Sequence, residues 1–427
     1  MEINEIHKLF LQCTSVSIDT RQIEKGSLFA AIKGEKFDAN TFAKEALEKG
    51  ALFVILDNKD YYIDKRTILV DNTLQTLQEL SRFHRNYLKI PIIALTGSNG
   101  KTTTKELINV VLNKKFKTTA TKGNFNNHIG VPLTLLSFDK TTEIGIVEMG
   151  ANHQKEIEFL CDLAQPDYGY ITNFGKAHLE GFGGYEGVIK GKSEMYTYLS
   201  ANNKTAFINL DDPLQSEKSA GIKTISFGLN QKTATINIKK TEANPFVSVS
   251  FDNTKVKSNL IGLYNANNIS AAITIGKYFR VADNEIKAAI EAYIPENNRS
   301  QLLFKNSNEI ILDAYNANPS SMKVAIENFI QLDKVNKIAF LGDMFELGDE
   351  SLDEHKSIIS LLLNIPEITC HFIGKDFYEN KIIQPNFLFH KTFDDLENYL
   401  KNHTITESII LIKGSRGMAL ERTLEFV

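Results

Sequence analysis

An apolar run, Ile92-Ile-Ala-Leu-Thr96, passes through Gly97-Ser-Asn-Gly100-Lys101-Thr102 directly into a helical pattern. A buried strand that turns sharply into a helix commits this part of the chain to a parallel sheet covered by helices. It also presents backbone N–H groups and a helix N-terminus to an anion. The pattern predicts a phosphate cradle built from Gly97, Ser98, Asn99, Gly100, Lys101, Thr102 and Thr103, with Lys101 reaching terminal phosphates and the Thr102 hydroxyl reaching a divalent cation. The standard loop has a further glycine five positions before the second one; here that place is Leu95, so the loop is a shorter variant.

The same alternation extends along the chain in three blocks. Up to residue 88 there are short strand-like runs near 27–32, 52–56 and 67–70, a helix opening after Asp38, and a longer helix ending ahead of Pro91. From 89 to 296, nearly continuous apolar runs near 144–149, 168–172 and 206–210 alternate with helical patterns, and residues 232–260 read as a β-hairpin or meander. From 297 onward the β/α alternation resumes near 310–314, 338–341, 371–374 and 409–413. The expected fold is α/β in three domains: a small N-terminal α/β domain (1–88), a central parallel-sheet domain with the phosphate loop (89–296) and a Rossmann-like C-terminal domain (297–427). Ligands then belong in the cleft at the carboxyl ends of the strands.

With 427 residues, 42% hydrophobic and 23% charged, the chain has the composition of a globular enzyme. A net charge of −4 argues against nucleic acid or an anionic membrane as the main partner. Cys13, Cys161 and Cys370 are widely separated, which suits a reducing compartment. No signal peptide and no apolar run of about 18 residues is visible, so the cytoplasm is the expected location, without membrane insertion.

Several residues sit where chemistry is expected. Glu148 ends the run Ile144–Val147, at a strand tip suited to holding Mg²⁺. His178, in the loop after the next run, is either a metal ligand or a loop histidine. Lys192 lies in a helix-like stretch with Lys190 and Glu194, either on a solvated face or in the site; in the site its charge must be offset, and carbamylation by CO₂ would turn it into an oxygen-bearing anion. Asp313 ends the first strand of the third block. Arg299 lies in the linker 295–300, either as a surface residue or as an arginine that swings onto a phosphate when domains close. The turn Lys413-Gly-Ser-Arg-Gly417 after the last strand is of the same polar, cleft-lining type.

Taken together, these strings resemble the Mur ligases of bacterial cell-wall synthesis, over all three blocks in order. The phosphate loop Thr96–Thr103 is similar to that family's short loop. The more specific strings are Asp19-Thr-Arg21, Leu28–Asp38, Gly123–Thr134, Asp313–Met322 and Gly342–Gly348. Two departures are Thr20, where serine is commoner, and Ala314, where a second Asp or Ser is common. The resemblance implies ATP-driven addition of D-alanyl-D-alanine to UDP-N-acetylmuramoyl-tripeptide through an acyl phosphate, by a monomer using Mg²⁺ at two sites.

It further implies that Lys101 and Thr102 bind ATP phosphate and Mg²⁺, that Glu148 and His178 hold the second Mg²⁺, and that Lys192 is carbamylated and joins the metal site. Asn268 would contact adenine; Arg299 and Asp313 would contact phosphate and ribose. Thr20, Arg21, Ser27, Lys33, Gly34, Phe37, Asp38 and Asn40 would hold the UDP-sugar end. Asn126 and Asn127 would face the muramoyl peptide, and Tyr315, Asn316, Asn318 and Ser320 the incoming dipeptide. The competing readings are another step of the same family, such as diamino-acid addition, and a folylpolyglutamate-synthetase-like ligase, which would lack the first block. A GTPase would need an Asn-Lys-x-Asp string, which is absent. A non-catalytic nucleotide-binding regulator would be expected to lose one of Glu148, His178 or Lys192.

Overall fold

The computed structural model describes residues 1–296 and 298–427, so the boundary expected at 296/297 touches one residue, Asn297, outside the described residues. Three sheets follow one another along the chain. The first has four parallel strands in the order Val16–Ser17, Leu28–Ala30, Phe53–Leu56, Thr67–Leu69. The helix Thr73–Leu88 leaves this unit; the Asn72 side chain caps its start by accepting from Gln75 N–H, and Lys89 ends it in the left-handed region (φ 55°).

The central sheet has nine strands. Their order is Thr254–Ile261, Phe246–Phe251, Ile236–Ala243, Lys223–Leu229, Thr205–Asn209, Tyr168–Ile171, Ile92–Thr96, Ile144–Glu148, Thr118–Ala120. The meander expected over 232–260 is the antiparallel edge of this sheet, and the remaining strands pair in parallel. The continuous apolar runs have the expected cause. Ile92 and Ala94 pack on one face with the helices Glu156–Ala164 and Tyr185–Ala201, while Ile93 and Leu95 pack on the other with Lys101–Leu112 and Asn265–Tyr278.

The third sheet has six strands in the order Gln301–Lys305, Asn308–Asp313, Ile409–Lys413, Lys337–Gly342, Ile368–Ile373, Phe387–His390, parallel except for the first. The helix Pro319–Gln331 starts at Asn318, whose side chain accepts from Ser321 N–H, with proline in the first turn. Met322, Ile326 and Phe329 of this helix join the same buried cluster as Val147 and Ile171 of the central sheet. At the other end, Leu133 and Leu136 of the helix Gly130–Leu136 enter the core of the first unit beside Leu77 and Leu80. The carboxyl ends of the central strands therefore face the third unit across a cleft. Among the described residues, no helix is long and apolar enough to cross a membrane.

Candidate active site

The phosphate loop is pinned from behind. Gly97 lies at φ 137°, and a β-carbon there would fall 2.0 Å from Thr172 Oγ1. Gly100 (φ 78°) starts the helix Lys101–Leu112, and a β-carbon there would come within 2.7 Å of Asn268 Oδ1. Both positions need glycine for conformation and for space. The Asn99 carbonyl accepts from Thr172 Oγ1 (2.6 Å) and Asn173 Nδ2 (3.0 Å). Lys101 curls back, donating from Nζ to the carbonyls of Gly97 (2.7 Å) and Ser98 (3.2 Å). Burial, opposed by Glu148 and reinforced by the charge of Arg299, holds its pKa down at about 8.

Glu148 faces this loop from the neighbouring strand. Its Oε1 accepts from Thr102 Oγ1 (3.2 Å) and Asn126 Nδ2 (2.8 Å), and Glu148 N–H donates to Thr121 Oγ1 (3.0 Å). Its Oε2 is buried and has no hydrogen-bond partner. An unpaired buried polar atom costs about 1–3 kcal/mol, and an all-oxygen corner of carboxylate plus hydroxyl is what a hard divalent cation takes. The residues present fit Mg²⁺ at this point.

Lys192 is 1% exposed and donates from Nζ to the Ala151 carbonyl (3.0 Å), 4.9 Å from the centroid of the Phe182 ring. Burial first, then the charge of Lys101, drives its pKa well below the usual lysine range. A neutral amine is the form that reacts with CO₂, so the solvated-face alternative fails here. His178 (φ 54°) lines the cleft, with Nδ1 paired to the Glu346 carboxylate from the third unit. Among the described residues no cluster of three His, Cys, Asp or Glu side chains is placed to hold a metal. The Glu148 corner is thus the clearest cation position, and His178 is turned toward Glu346.

The cleft measures about 1430 Å³ and is lined by both the central and third units. On the third-unit side, Arg299 lies 3.7 Å from the centroid of the Tyr315 ring, and Asp313 accepts from Lys413 Nζ (2.5 Å) and Ser300 N–H (3.1 Å). Asn316 lines the same wall. Asn268 also lines the cleft, its amide occupied by Thr104 Oγ1 (3.0 Å) and Asn265 Oδ1 (2.8 Å).

Some residues expected at the site are used differently. Asn318 donates to Asn99 Oδ1 (2.7 Å) and caps its own helix; the Ser320 hydroxyl accepts from Lys176 N–H (2.8 Å). Both dock the third unit on the loops of the central one. Asn127 lines the cleft, but its side-chain oxygen accepts from Ile129 N–H and Gly130 N–H at the start of the helix Gly130–Leu136.

The first-unit residues do not line this cleft. Asn40 is buried, its amide donating to Asp38 (2.7 Å) and Asp57 (2.8 Å) and accepting from Asp57 N–H (3.0 Å), so it cross-links the fold. Lys33 and Asp38 bridge around a turn closed by Gly34 N–H to the Phe37 carbonyl (2.7 Å), with Phe37 57% exposed. Arg21 is exposed and paired with Asp19 (2.7 Å); the Thr20 carbonyl accepts from Lys49 Nζ (3.2 Å), and the buried Ser27 hydroxyl lacks a partner. Sequence reasoning missed Thr172, Asn173, Lys176 and Glu346. The available signal is the run of polar residues in Thr172–His178, directly after a buried strand.

Comparison with known proteins covers nearly the whole chain. The family described as Mur ligase family, catalytic domain, matches residues 12–85; Mur ligase middle domain matches 95–276; and Mur ligase, glutamate ligase domain, matches 298–416. A UDP-N-acetylmuramoyl-tripeptide--D-alanyl-D-alanine ligase of Bacillus subtilis (strain 168) is 34% identical over 426 residues, spanning 96% of this chain and 92% of the relative. The crystal structure of MurF from Acinetobacter baumannii aligns with a TM-score of 0.85 at 28% identity, covering 99% of this chain and 97% of that one. The MurF ligase from Thermotoga maritima in complex with ADP aligns with a TM-score of 0.84 at 27% identity, covering 98% and 97%.

Proposed function

The chain belongs to the Mur ligase family, and on that premise we propose that it is an ATP-dependent ligase that adds D-alanyl-D-alanine to UDP-N-acetylmuramoyl-tripeptide in peptidoglycan synthesis. The observation that carries this reading is the shared cleft. One wall is a phosphate loop with the unpartnered carboxylate oxygen of Glu148 beside it, and the other is a third unit that already touches that loop through Asn318.

A peptide carboxylate is a poor electrophile, so ATP must activate it. The tripeptide carboxylate attacks the γ-phosphorus, ADP leaves, and an acyl phosphate forms. The dipeptide amine then attacks the acyl carbon, and phosphate departs. Lys101 and the loop N–H groups stabilise charge on the transferring phosphoryl group. Lys101 leaves the Gly97 and Ser98 carbonyls to do so, and its lowered pKa reflects the burial that strengthens the contact. Arg299, between the second and third units, reaches the polyphosphate; Asp313 faces the ribose and Asn268 the adenine.

Thr102 would hold Mg²⁺ beside the ATP phosphates, and Glu148, with a carbamylated Lys192 and with His178 once it leaves Glu346, would hold a second ion. Bound there, Mg²⁺ neutralises polyphosphate charge. Residues 1–88, through the surface carrying Thr20, Arg21 and Phe37, hold the UDP-sugar end outside the cleft, and Asn126, which lines the cleft and donates to Glu148, faces the muramoyl peptide. The third unit, from residue 297, excludes water from the acyl phosphate. We also infer a monomer working in the cytoplasm, in keeping with three free cysteines. Incubation with ATP, UDP-N-acetylmuramoyl-tripeptide and D-alanyl-D-alanine, followed by mass spectrometry, tests the proposal. The expected product is the pentapeptide conjugate with one ADP and one phosphate; unchanged tripeptide would overturn it.

A further inference from the structure

The third-unit wall of the cleft carries two guanidinium groups on one tyrosine. Arg299 lies 3.7 Å and Arg416 5.2 Å from the Tyr315 ring centroid, and Arg416 Nη1 donates to the Tyr315 hydroxyl (3.2 Å). Most other basic side chains along the cleft are committed. Lys155 is paired with Glu158 (2.5 Å) and Lys413 with Asp313 (2.5 Å). Among the described lysines and arginines of the cleft, Lys101, Arg299 and Arg416 have no carboxylate in salt-bridge range.

The three differ in where they face. Lys101 belongs to the phosphate loop. Arg299 is close enough to Lys101 for its charge to depress the lysine's pKa, so it stands on the phosphate side. Arg416 follows the strand Ile409–Lys413 and lies next to an apolar surface. A β-carbon on the adjacent Gly417 would come within 2.7 Å of the Phe345 ring. Phe345 is held by its own N–H to Ser415 Oγ (2.9 Å) and is 44% exposed in the cleft wall. A guanidinium beside a fixed, partly exposed aromatic suits a short chain that ends in a carboxylate and carries small apolar side groups.

We infer that Arg416, steered by Tyr315, binds the free carboxylate of the incoming dipeptide, with the dipeptide's methyl groups against Phe345. Held at its carboxylate end, the dipeptide presents its amine toward the acyl phosphate at the loop. This assignment rests on the ligase reading above.

Kinetics with D-alanyl-D-alanine and with its C-terminal carboxamide test it. The wild-type protein should favour the carboxylate by about 10- to 100-fold in kcat/KM, the range of a charge-assisted hydrogen bond. Arg416→Ala should lower kcat/KM for the dipeptide by a similar factor and use both dipeptides within about threefold of each other, with KM for ATP little changed. Arg416→Lys should retain part of the discrimination, because it keeps charge but not the planar donor pair. Arg416 is exposed, so the variants should fold. If Arg416→Ala still prefers the carboxylate as strongly as the wild type, this assignment is wrong and the ligase reading stands. If the wild-type protein consumes neither dipeptide, the ligase reading falls and this assignment with it.

Discussion

Asn318 and Asn99 join the two walls of the cleft through a hydrogen bond from Nδ2 of the first to Oδ1 of the second, 2.7 Å long. The same Asn318 caps the helix Pro319–Gln331, and the Asn99 carbonyl is held from behind by Thr172 and Asn173. The position of the phosphate loop is therefore set jointly by the central and third units. Lys176, which pairs with Glu354 at 2.5 Å, and His178, which pairs with Glu346, add to the same junction.

Asn318→Ser keeps an oxygen for the cap but is too short to reach Asn99. Asn318→Ala loses both. Thermal denaturation should show Asn318→Ala less stable by about 1 kcal/mol and Asn318→Ser nearly unchanged. Calorimetric titration with ADP should show weakened binding in both. Wild-type ADP affinity in both variants would mean that the third unit does not help to set the loop.

Glu148→Gln preserves shape and the contacts with Asn126 and Thr102, but replaces the unpartnered anionic oxygen by an amide. Phosphate release should fall by at least about 100-fold, the scale of losing one preorganised electrostatic contact at a transition state. The Mg²⁺ concentration for half-maximal rate should rise. An unaltered Mg²⁺ dependence would remove Glu148 from the cation site. Chelation of divalent cations should stop the wild-type reaction and added Mg²⁺ restore it.

Lys192 Nζ is buried with the Ala151 carbonyl as its hydrogen-bond partner, and burial holds its pKa well below the usual lysine range, which favours the neutral amine that forms a carbamate. Protein equilibrated with ¹³C-bicarbonate should show a carbamate carbon resonance that is absent from Lys192→Ala. That variant should be nearly inactive and partly rescued by short carboxylates. Full activity of Lys192→Ala without rescue would rule the carbamate out.

A second consequence concerns acid stability. His84 Nε2 donates to the Phe138 carbonyl (2.8 Å), and its Nδ1 lies 3.0 Å from His7 Nε2. Burial, with His84 adding repulsion, lowers the His7 pKa to about 4, below the ordinary 6.5. Between these values the unfolded chain binds the proton and the folded one does not. Stability should therefore fall as pH drops from about 6.5 to about 4, by on the order of 2–3 kcal/mol. Denaturant unfolding across that window measures it. His7→Leu should flatten the slope, and an equally steep slope in that variant would assign it to other groups.

What the sequence made legible follows from how local each signal is. Ile92–Thr96 and Ile144–Glu148 could be read because a strand covered on both faces is apolar at every position, and Lys101 and Thr102 because their spacing from Gly97 and Gly100 is itself the motif. The strands Val16–Ser17 and Thr118–Ala120 are too short to show a period. The helix Gly130–Leu136 was hidden by Gly130 and Pro132, which sit in its first turn. Asn40 is named only through the resemblance, and its cross-link to Asp57 has no local sign because the two lie 17 residues apart. Glu346 gave no local sign of its role, since His178 is 168 residues distant.

The measurement that bears most directly on the central claim is phosphate release from ATP, with UDP-N-acetylmuramoyl-tripeptide and D-alanyl-D-alanine each omitted in turn, for the wild-type protein and for Lys101→Ala. Sustained release should require both substrates and should vanish in Lys101→Ala. Release that continues without either substrate, or that survives in Lys101→Ala, would contradict a ligase that uses this loop to activate a peptide carboxylate.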